Sequence, residues 1–373
     1  MKKKILCTVT NDLSYDQRMI RICTSLTKAG YEVTLIGRRM PRSLPLDEKS
    51  FRQRRLPLFF YRGKLFYLEY NLRLFFFLLL HPADCICAID LDTILPCYFV
   101  SRIRRIPRVY DAHELFCEMH EVVSRPLIYS FWKRVERYAV PAFRNGYTVN
   151  GLIAAAFHEM YGVTYEVVRN MPVLEEGSPV TGDGPVATAS GAGERFVLYQ
   201  GAVNEGRCFE TLIPAMQYVD AKLVICGTGN YMAQTRELVK QYALENKVIF
   251  KGAVLPGPLK EITRSAWCGV TLFDRKGESN FYSLANRFFD YIHAGIPQVA
   301  VNYPAYREIN NMGRIAVLVD EPGIREVSEA LNELLNNTNL YRTLKENCRQ
   351  ARLRYNWQEE EKKLIRIYQK ILS

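Results

Sequence analysis

Short apolar runs alternate along the chain with longer amphipathic segments. In the first half, six runs have the length and composition of buried strands: KILCTVT, YEVTLIG, DCICAID, PRVYDAH, GYTVN and YEVVRN. The segments between them, such as YDQRMIRICTSLTKAG, place apolar residues at helical spacing, and Gly30 is a suitable helix stop. Strands that alternate with helices in this way predict a parallel sheet with helices on both faces.

The alternation is interrupted once and then starts again. Residues 173–194, VLEEGSPVTGDGPVATASGAGE, are rich in Gly, Ser, Pro and Thr, which predicts an interdomain linker. Six further strand-like runs follow: RFVLYQG, AKLVICG, KVIFKG, CGVTLF, PQVAV and IAVLVD. The pattern therefore predicts an α/β protein with two Rossmann-like, doubly wound parallel-sheet domains, residues 1–172 and 195–355. Ligands of such sheets bind beyond the carboxyl ends of the strands, so we expect the domains to face each other across a ligand-binding cleft.

Charge is distributed unevenly between the two halves. The 373-residue chain carries a formal charge of +11, and residues 1–170, with 26 basic and 16 acidic side chains, account for +10 of it. A basic half predicts an anionic partner, which could be a phosphorylated substrate, an anionic membrane surface or nucleic acid. Nucleic acid is disfavoured, because the basic residues are spread among apolar helices and no nucleic-acid-binding module is recognisable.

Cysteine use and apolar segments bear on the compartment. The ten cysteines are scattered, several in strand-like runs, which indicates buried thiols in a cytosolic protein. The apolar run in MKKKILCTVTND is too short for a signal peptide. KLFYLEYNLRLFFFLLL predicts one long apolar helix, too short to span a bilayer. Packing on the sheet is the favoured interpretation of this helix, and contact with a membrane surface is the alternative. We therefore expect a cytoplasmic protein, with a peripheral position at the inner membrane face as the alternative.

Candidate binding residues follow the strands of the second domain. Gly201 ends a strand, and Arg207 lies where the next helix is predicted to begin, an arrangement suited to phosphate oxygens. Gly227 and Gly229 follow the next strand in ICGTGNY. This lone Gly-x-Gly either lets a ligand approach the backbone or makes a tight turn.

The segment SLANRFFDYIHAGIPQVAVN predicts a helix with a polar stripe. Asn286 and Asp290 are four residues apart and share a face, and Arg287 flanks them. Ser283 is a plausible N-cap, and Gly295 is the predicted helix end. An aspartate in the second turn can accept hydrogen bonds from two vicinal hydroxyls, such as those of a ribose, and Arg287 suits a diphosphate.

The order of these motifs resembles the donor site of GT-B-fold glycosyltransferases, the large retaining group called family 4 or group 1. The resemblance rests on GAVNEGRCFETLIPAM, ICGTGNY, IFKGAV and NRFFDYIHAGIPQVAV in the second half, and on AGYEVTLIGR and VYDAHELF in the first. The last helix, residues 356–373, is similar to the one that crosses back to the first domain in this fold. The resemblance covers nearly the whole chain.

The resemblance implies roles for matching residues. Asp290 would bind the ribose hydroxyls, Arg207 the donor phosphates, and His113 would lie near the transferred sugar. Tyr282 stands where the family has a glutamate, so Glu278 or Asn280 is expected to substitute. Glu278, Asn280 and Tyr282 are therefore the sugar-recognition candidates. The glycine-rich loop of the first domain is replaced by TNDLSYDQRM, which makes Asn11 and Asp12 acceptor-side candidates.

No cofactor or metal is expected. Arginine side chains and a helix N-terminus would stabilise the charge of a departing nucleoside diphosphate. Asp90 and Asp92 follow a first-domain strand, where a metal or acceptor role competes with helix capping, the favoured interpretation. His113, Cys117 and His120 do not complete a zinc motif.

The expected function is transfer of a hexose-type sugar from a nucleoside-diphosphate sugar to a cell-surface glycan or lipid-linked acceptor. Retention of configuration is implied by the resemblance alone. The alternatives are a nucleotide-sugar epimerase of the same fold and a non-enzymatic binder of anionic ligands.

Overall fold

The computed structural model describes residues 2–14, 16–175, 195–276 and 278–373. The chain divides into two compact units, one of Met1–Asn170 with Glu359–Ser373 and the other of Met171–Gln358. Residues 176–194, most of the predicted linker, lie outside the described residues.

The first unit is built on a seven-stranded parallel sheet with the order β3-β2-β1-β4-β5-β6-β7. Its strands are β1 (Lys4–Thr8), β2 (Glu32–Arg38), β3 (Arg52–Leu56), β4 (Cys85–Ile89), β5 (Arg108–Ala112), β6 (Asn145–Thr148) and β7 (Glu166–Val167). Its helices are α1 (Gln17–Lys28), α2 (Gly63–Leu80), α3 (Ile94–Arg104), α4 (His120–Val123), α5 (Pro126–Ala139) and α6 (Gly151–Tyr161). All six strands predicted for this half form.

Strand β3 was missed by the sequence analysis. Its sequence, RQRRL, has no run of apolar residues, and an edge strand tolerates this because its long polar side chains reach water. Only Leu56 at its end is buried. The register with β2, in which Leu35 lies opposite Gln53, depends on backbone pairing rather than on an apolar pattern.

The direction of each crossover decides which face of the sheet its helix covers. Parallel strands are joined by right-handed crossovers, so α1, which leads from β1 out to β2, covers one face. The connections from β3 to β4, β4 to β5 and β5 to β6 run the opposite way across the sheet. Helices α2, α3 and α5 therefore lie side by side on the other face.

The second unit has a six-stranded parallel sheet with the order β10-β9-β8-β11-β12-β13. Its strands, all of them predicted, are β8 (Phe196–Gln200), β9 (Lys222–Cys226), β10 (Val248–Gly252), β11 (Cys268–Thr271), β12 (Gln298–Val301) and β13 (Ala316–Val319). Its helices are α7 (Phe209–Ala215), α8 (Met232–Gln241), α9 (Pro256–Ser265), α10 (Glu278–Tyr282), α11 (Asn286–Ala294), α12 (Pro304–Asn311), α13 (Ile324–Asn336) and α14 (Thr338–Arg354). Strands β8 and β12 are buried along their whole length, which is expected of a sheet covered on both faces.

The last helix, α15 (Trp357–Leu372), begins in the second unit, and its larger part belongs to the first. Tyr368 is fully buried there, with its ring 6.4 Å from the rings of both Tyr31 and Tyr147. Within the described parts of the chain, no helix combines the length and the apolar character that crossing a bilayer requires.

Candidate functional site

The predicted donor-binding residues of the second unit follow adjacent strands. Gly201 comes directly after β8 and Gly227 directly after β9, while Phe273 and Asp274, which were not among the predicted residues, follow β11. Strand β8 lies between β9 and β11 in the sheet. Because the carboxyl ends of parallel strands meet at one edge, these segments are neighbours in space.

Glycine at 227 and 229 is required by the packing of two loops against each other. A Cβ at 227 would lie 1.7 Å from the carbonyl oxygen of Gly201, and a Cβ at 229 would lie 2.1 Å from that of Val203. The Val203 N–H also donates to the Thr228 carbonyl at 3.0 Å. Of the two sequence interpretations, ligand approach or tight turn, neither describes this role, which is the close approach of a second loop.

Two arginines lie against one aromatic ring at this edge. The Cζ atom of Arg207 is 4.3 Å from the centroid of the Phe273 ring, and that of Arg287 is 4.8 Å from the same centroid. Arg207 Nη1 also donates to Asn280 Oδ1 at 3.3 Å. Both positive charges therefore lie near the same ring, and together they favour a bound anion at this edge of the sheet.

Arg287 is the more unusual of the two arginines. It is only 8% exposed, and no carboxylate among the described residues pairs with it. Its Nη2 donates to the Leu272 carbonyl at 3.4 Å, its Nε has no hydrogen-bond partner, and its Cζ lies 4.8 Å from the Tyr199 ring centroid. A Cβ at Gly201 would be 3.5 Å from Nη1, so the cation lies next to this glycine. A buried cation without an anion is costly, and an anion bound at Gly201 would offset that cost.

Asp290 is positioned by a short chain of hydrogen bonds. The Thr263 hydroxyl donates to Gln200 Oε1 at 2.7 Å, and Gln200 Nε2 donates to Asp290 Oδ2 at 2.9 Å. Gln200 is the last residue of β8, so the half-buried carboxylate and the Arg287 cation both lie at the end of this strand. A fixed carboxylate beside a cation suits a ligand that has hydroxyls next to a phosphate.

The prediction that Ser283 caps the polar helix is wrong. Helix α11 begins at Asn286 with Ala285 as its N-cap, and the Ser283 hydroxyl donates to the Asn280 carbonyl at 2.8 Å. The reason is that the preceding residues form a separate short helix, α10, and Ser283 follows its last turn. Asn286 is exposed in the first turn of α11, four residues before Asp290 as predicted.

The three sugar-recognition candidates all lie in α10. Glu278 is exposed, and Tyr282 is half-buried at the end of the helix. Asn280 uses both ends of its amide within the protein, because its Oδ1 accepts from Arg207 and its Nδ2 donates to Asp274 at 3.1 Å. Asn280 therefore holds Arg207 in place, and its predicted role in sugar recognition stays a prediction.

In the first unit, the structure places His113 between two carboxylates. Nδ1 of His113 is 3.1 Å from Asp90 Oδ2, and Nε2 is 3.2 Å from Asp111 Oδ2. The side chain is 23% exposed, whereas Asp111 is fully buried. Arg18 closes the network, because its Nη2 donates to Asp111 Oδ1 at 2.7 Å.

These contacts hold His113 in its charged form. Burial lowers the pKa of the imidazole, but Asp90 and Asp111 together raise that pKa well above its usual value. For Asp111, burial raises the pKa, but Arg18 and His113 outweigh it and bring the pKa to about 2. Both ring nitrogens of His113 face carboxylates at ion-pair distance, although the buried Nε2 makes no aligned hydrogen bond.

The prediction that Asp90 or Asp92 caps a helix is wrong. Neither side chain makes a cap hydrogen bond to the helical turns that follow β4. Asp90 contacts His113 instead, and Asp92 is buried and accepts from the Thr10 hydroxyl at 2.5 Å. Burial, and next the charge of Asp90, raise the pKa of Asp92 to about 7.

We expect Asp92→Asn to stabilise the protein, and increasingly so as the pH rises. Because the pKa of Asp92 rises from about 4 unfolded to about 7 folded, its stability contribution is present at acid pH and is lost as pH rises towards 7. Asparagine has no charge to bury and can still accept from Thr10. At pH 8 the gain is at most about 4 kcal/mol.

Thermal unfolding at pH 5 and pH 8 measures this effect. Asp47→Asn, at a position whose side chain is 87% exposed, is the matched control. A gain in the Asp92→Asn protein that is equal at both pH values would contradict the assignment of the raised pKa to Asp92.

The acceptor-side candidates Asn11 and Asp12 follow β1. Asn11 is exposed, and its amide donates to Asp16 Oδ2 at 2.5 Å. Asp12 forms an ion pair with Arg55 of β3, with Nη2 of Arg55 2.5 Å from Oδ1 of Asp12, and the Ser14 hydroxyl donates to the same carboxylate at 3.1 Å. Asp12 is thus engaged within the protein, and its contact with an acceptor stays a prediction.

Sequence reasoning missed the residues that orient the site. Arg18 and Asp111 fix His113, Gln200 fixes Asp290, and Phe273 contacts both arginines. A signal was available for Asp111, because a carboxylate inside an apolar strand such as PRVYDAH needs a buried partner. For Arg18, helical spacing alone does not reveal a partner 93 residues away.

A metal centre is not apparent in the part of the chain that the structure describes. No three His, Cys, Asp or Glu side chains there are grouped as metal ligands require. His113, Cys117 and His120 do not share a helix, because Cys117 lies in a 3-10 turn and His120 begins α4.

Each half of the chain matches a protein-family model. Residues 17–172 match the family described as Glycosyltransferase Family 4, and residues 186–351 match Glycosyl transferases group 1. No curated protein sequence matches this chain.

Solved structures with a similar fold cover nearly the whole chain. Sucrose-phosphate synthase from Thermosynechococcus elongatus is 18% identical, with 99% of each chain covered and a TM-score of 0.78. HepE from Anabaena, in complex with UDP-glucose, is 14% identical, with 98% of this chain and 99% of that chain covered and a TM-score of 0.73. WaaG, a glycosyltransferase involved in lipopolysaccharide biosynthesis, is 14% identical over 98% of this chain and 99% of that chain, with a TM-score of 0.70.

The two family matches are separated by 13 residues and together span most of the chain. The structural neighbours share both of its parallel-sheet units. The chain therefore has the GT-B fold and belongs to the group 1 and family 4 glycosyltransferases.

Proposed function

We propose that the protein transfers a hexose-type sugar from a nucleoside-diphosphate sugar to a glycan or lipid-linked acceptor. The observation that carries the proposal is the buried Arg287, which is close to Gly201 and has no carboxylate partner among the described residues. A diphosphate at Gly201 would supply the missing negative charge. Arg207, on the same Phe273 ring, would supply a second cation for the phosphates.

The two arginines would also promote bond cleavage by stabilising the leaving group. When the glycosidic bond breaks, negative charge develops on the leaving diphosphate, and fixed cations stabilise that charge without moving. The first turn of α11 adds main-chain N–H groups, because its N-cap Ala285 makes no side-chain cap hydrogen bond. In this proposal the arginines and the helix end do the work that a divalent cation does elsewhere, and no metal or cofactor is required.

Asp290 is assigned to the nucleoside. Its carboxylate, oriented by Gln200, would accept hydrogen bonds from the ribose hydroxyls. Because HepE was solved with UDP-glucose, uridine nucleotides are the first donors to test. Retention of configuration is supported only by the resemblance to the family.

The acceptor is assigned to the first unit. The +10 charge of residues 1–170 favours an anionic acceptor, met in the cytoplasm or at the inner face of a membrane. His113 is the catalytic candidate there, since it is partly exposed and charged. Its contact with the transferred sugar would need the Asp90 contact to open.

Ligand-dependent thermal unfolding tests the donor. UDP, GDP, ADP, CMP and TDP would be compared, and the correct nucleotide should stabilise by about 2.7 kcal/mol at a hundred times its Kd. If none of them shifts the midpoint, the donor site is assigned wrongly.

Product analysis separates transfer from epimerisation. An epimerase releases a nucleotide or an altered sugar from the donor alone, whereas a transferase forms a glycosylated product only when an acceptor is added. Conversion of the donor without acceptor, at the same rate, would favour the epimerase.

A further inference from the structure

Helix α2 is apolar on two opposite faces. One stripe is buried against the rest of the first unit and consists of Phe66, Tyr70, Leu74 and Leu78. A second stripe at helical spacing is exposed by 37% to 66% and consists of Leu65, Leu68, Leu72, Phe76 and Leu79. Core packing, the interpretation favoured from sequence, accounts for the first stripe only. The second stripe has no covering among the described residues.

The neighbouring helices on the same side of the sheet also expose apolar residues. On α3 these are Phe99 and Ile103, exposed by 41% and 59%, and on α5 they are Leu127, Phe131 and Tyr138, exposed by 83%, 55% and 55%. The three helices are in contact, because the ring of Tyr98 on α3 lies 5.4 Å from that of Tyr138, and the ring of Tyr67 on α2 lies 5.4 Å from that of Trp132 on α5. We call these exposed residues together the α2–α3–α5 face.

The charges on this face have one sign. The exposed ionisable side chains on the three helices are basic: Lys64, Arg102, Arg134 and Arg137. The two carboxylates on these helices are both engaged. Glu69 pairs with Arg73 at 2.8 Å, and the buried Glu136 pairs with Lys133 at 2.8 Å. The face therefore combines apolar and positively charged groups and presents no exposed carboxylate.

We infer that the α2–α3–α5 face binds the surface of a bilayer that contains anionic lipids. Helices with exposed apolar residues beside lysine and arginine lie in the plane of the lipid interface, where the apolar groups insert and the cations meet the head groups. A second copy of this chain fits less well, because a symmetric contact would bring the same positive charges against each other. The inference requires no sugar transfer and is independent of the proposed function.

Sedimentation of the full-length protein with vesicles tests the inference. The protein is expected to bind vesicles of phosphatidylcholine and phosphatidylglycerol, and to bind phosphatidylcholine vesicles more weakly. Higher salt should weaken binding to the mixed vesicles, since salt screens surface charge. The triple variant Leu68→Ser/Leu72→Ser/Phe76→Ser should lose at least tenfold in vesicle partition, roughly the effect of withdrawing three partly inserted side chains.

A charge variant with a matched control completes the experiment. Arg134→Gln/Arg137→Gln should weaken binding to the mixed vesicles about thirtyfold, since each cation near an anionic surface contributes about 1 kcal/mol. The control, Arg366→Gln/Lys370→Gln, removes two exposed cations from α15, which packs on the α1 side of the same sheet, and should bind as the wild type does.

Three outcomes would overturn the inference. They are no binding to either vesicle, equal loss in the charge variant and its control, and a dimer in sedimentation equilibrium that the serine variant dissociates. All the altered side chains are exposed, and circular dichroism checks that the variants are folded. If the serine variant does not fold, the charge variant and its control still test whether the α2–α3–α5 face binds anionic bilayers.

Discussion

Replacing Arg287 with methionine is expected to make the second unit more stable and, at the same time, unable to bind its donor. The wild-type protein buries this cation without a carboxylate partner among the described residues, and methionine removes the charge while it keeps the apolar stem between Tyr199 and Phe273. Replacing a buried ion pair by well-packed apolar residues is often neutral or stabilises a protein by about 1–4 kcal/mol, and a buried cation without a paired carboxylate is costlier to keep than a pair. The variant should gain about 1–3 kcal/mol.

The affinity for the donor should fall, although the stability of the protein rises. Loss of a charged hydrogen-bonding group that faces a phosphate costs about 2–5 kcal/mol, so the affinity for the nucleoside diphosphate should fall by a factor of about a hundred or more. Thermal unfolding without ligand and titration calorimetry with nucleotide measure the two effects on the same samples.

The opposite signs make the result diagnostic. A purely structural arginine would lose stability when replaced and leave nucleotide affinity unchanged, and that outcome would contradict the proposed site. Arg342→Met is the matched control, because Arg342 is exposed on α14 and should alter neither quantity.

Replacing Asp290 with asparagine is the second change with a large expected effect. The substitution keeps the shape of the side chain and removes the negative charge that would accept hydrogen bonds from two ribose hydroxyls. Charge-assisted hydrogen bonds contribute about 1.5–3 kcal/mol each, so kcat/KM should fall at least a hundredfold. The unfolding midpoint should stay close to that of the wild type, because Gln200 can rotate its amide to donate to or accept from asparagine.

A nucleotide that lacks the ribose hydroxyls gives this prediction a sharper test. If Asp290 binds those hydroxyls, a 2′,3′-dideoxy nucleoside diphosphate should bind wild type and Asp290→Asn equally weakly, because both changes remove the same interaction. Independent, additive losses would place the hydroxyl contact elsewhere. Asp320→Asn, an exposed aspartate after β13, is the control for the loss of one charge.

The strands could be predicted from sequence because apolar runs buried on both faces have a clear signal. All the predicted strands of both sheets form. The exception is β3, an edge strand with charged residues. Its position depends on backbone hydrogen bonds to β2 rather than on the burial of apolar side chains. The end of α11 at Gly295 followed from sequence, whereas its start did not, because α10 intervenes and Ser283 hydrogen-bonds to it.

The candidate site was predicted in part. Residues that follow strands, such as Gly201, Arg207 and Asp290, could be selected because topology places strand ends together. Their partners could not, since the contacts of Gln200 with Asp290 and of Arg18 with Asp111 join residues 90 and 93 positions apart. Side-chain partners at such separations depend on the packed structure and leave no periodic pattern.

The interlocking of the two glycine loops has a consequence for ligand capture. Because the backbone after β8 rests directly on the backbone after β9, this edge of the second sheet is shaped before any nucleotide arrives. Little conformational entropy then remains to be lost when an anion binds there, so more of the interaction energy appears as affinity. Added bulk at 227 or 229 would disturb this preorganisation, because a Cβ at either position would overlap the neighbouring loop.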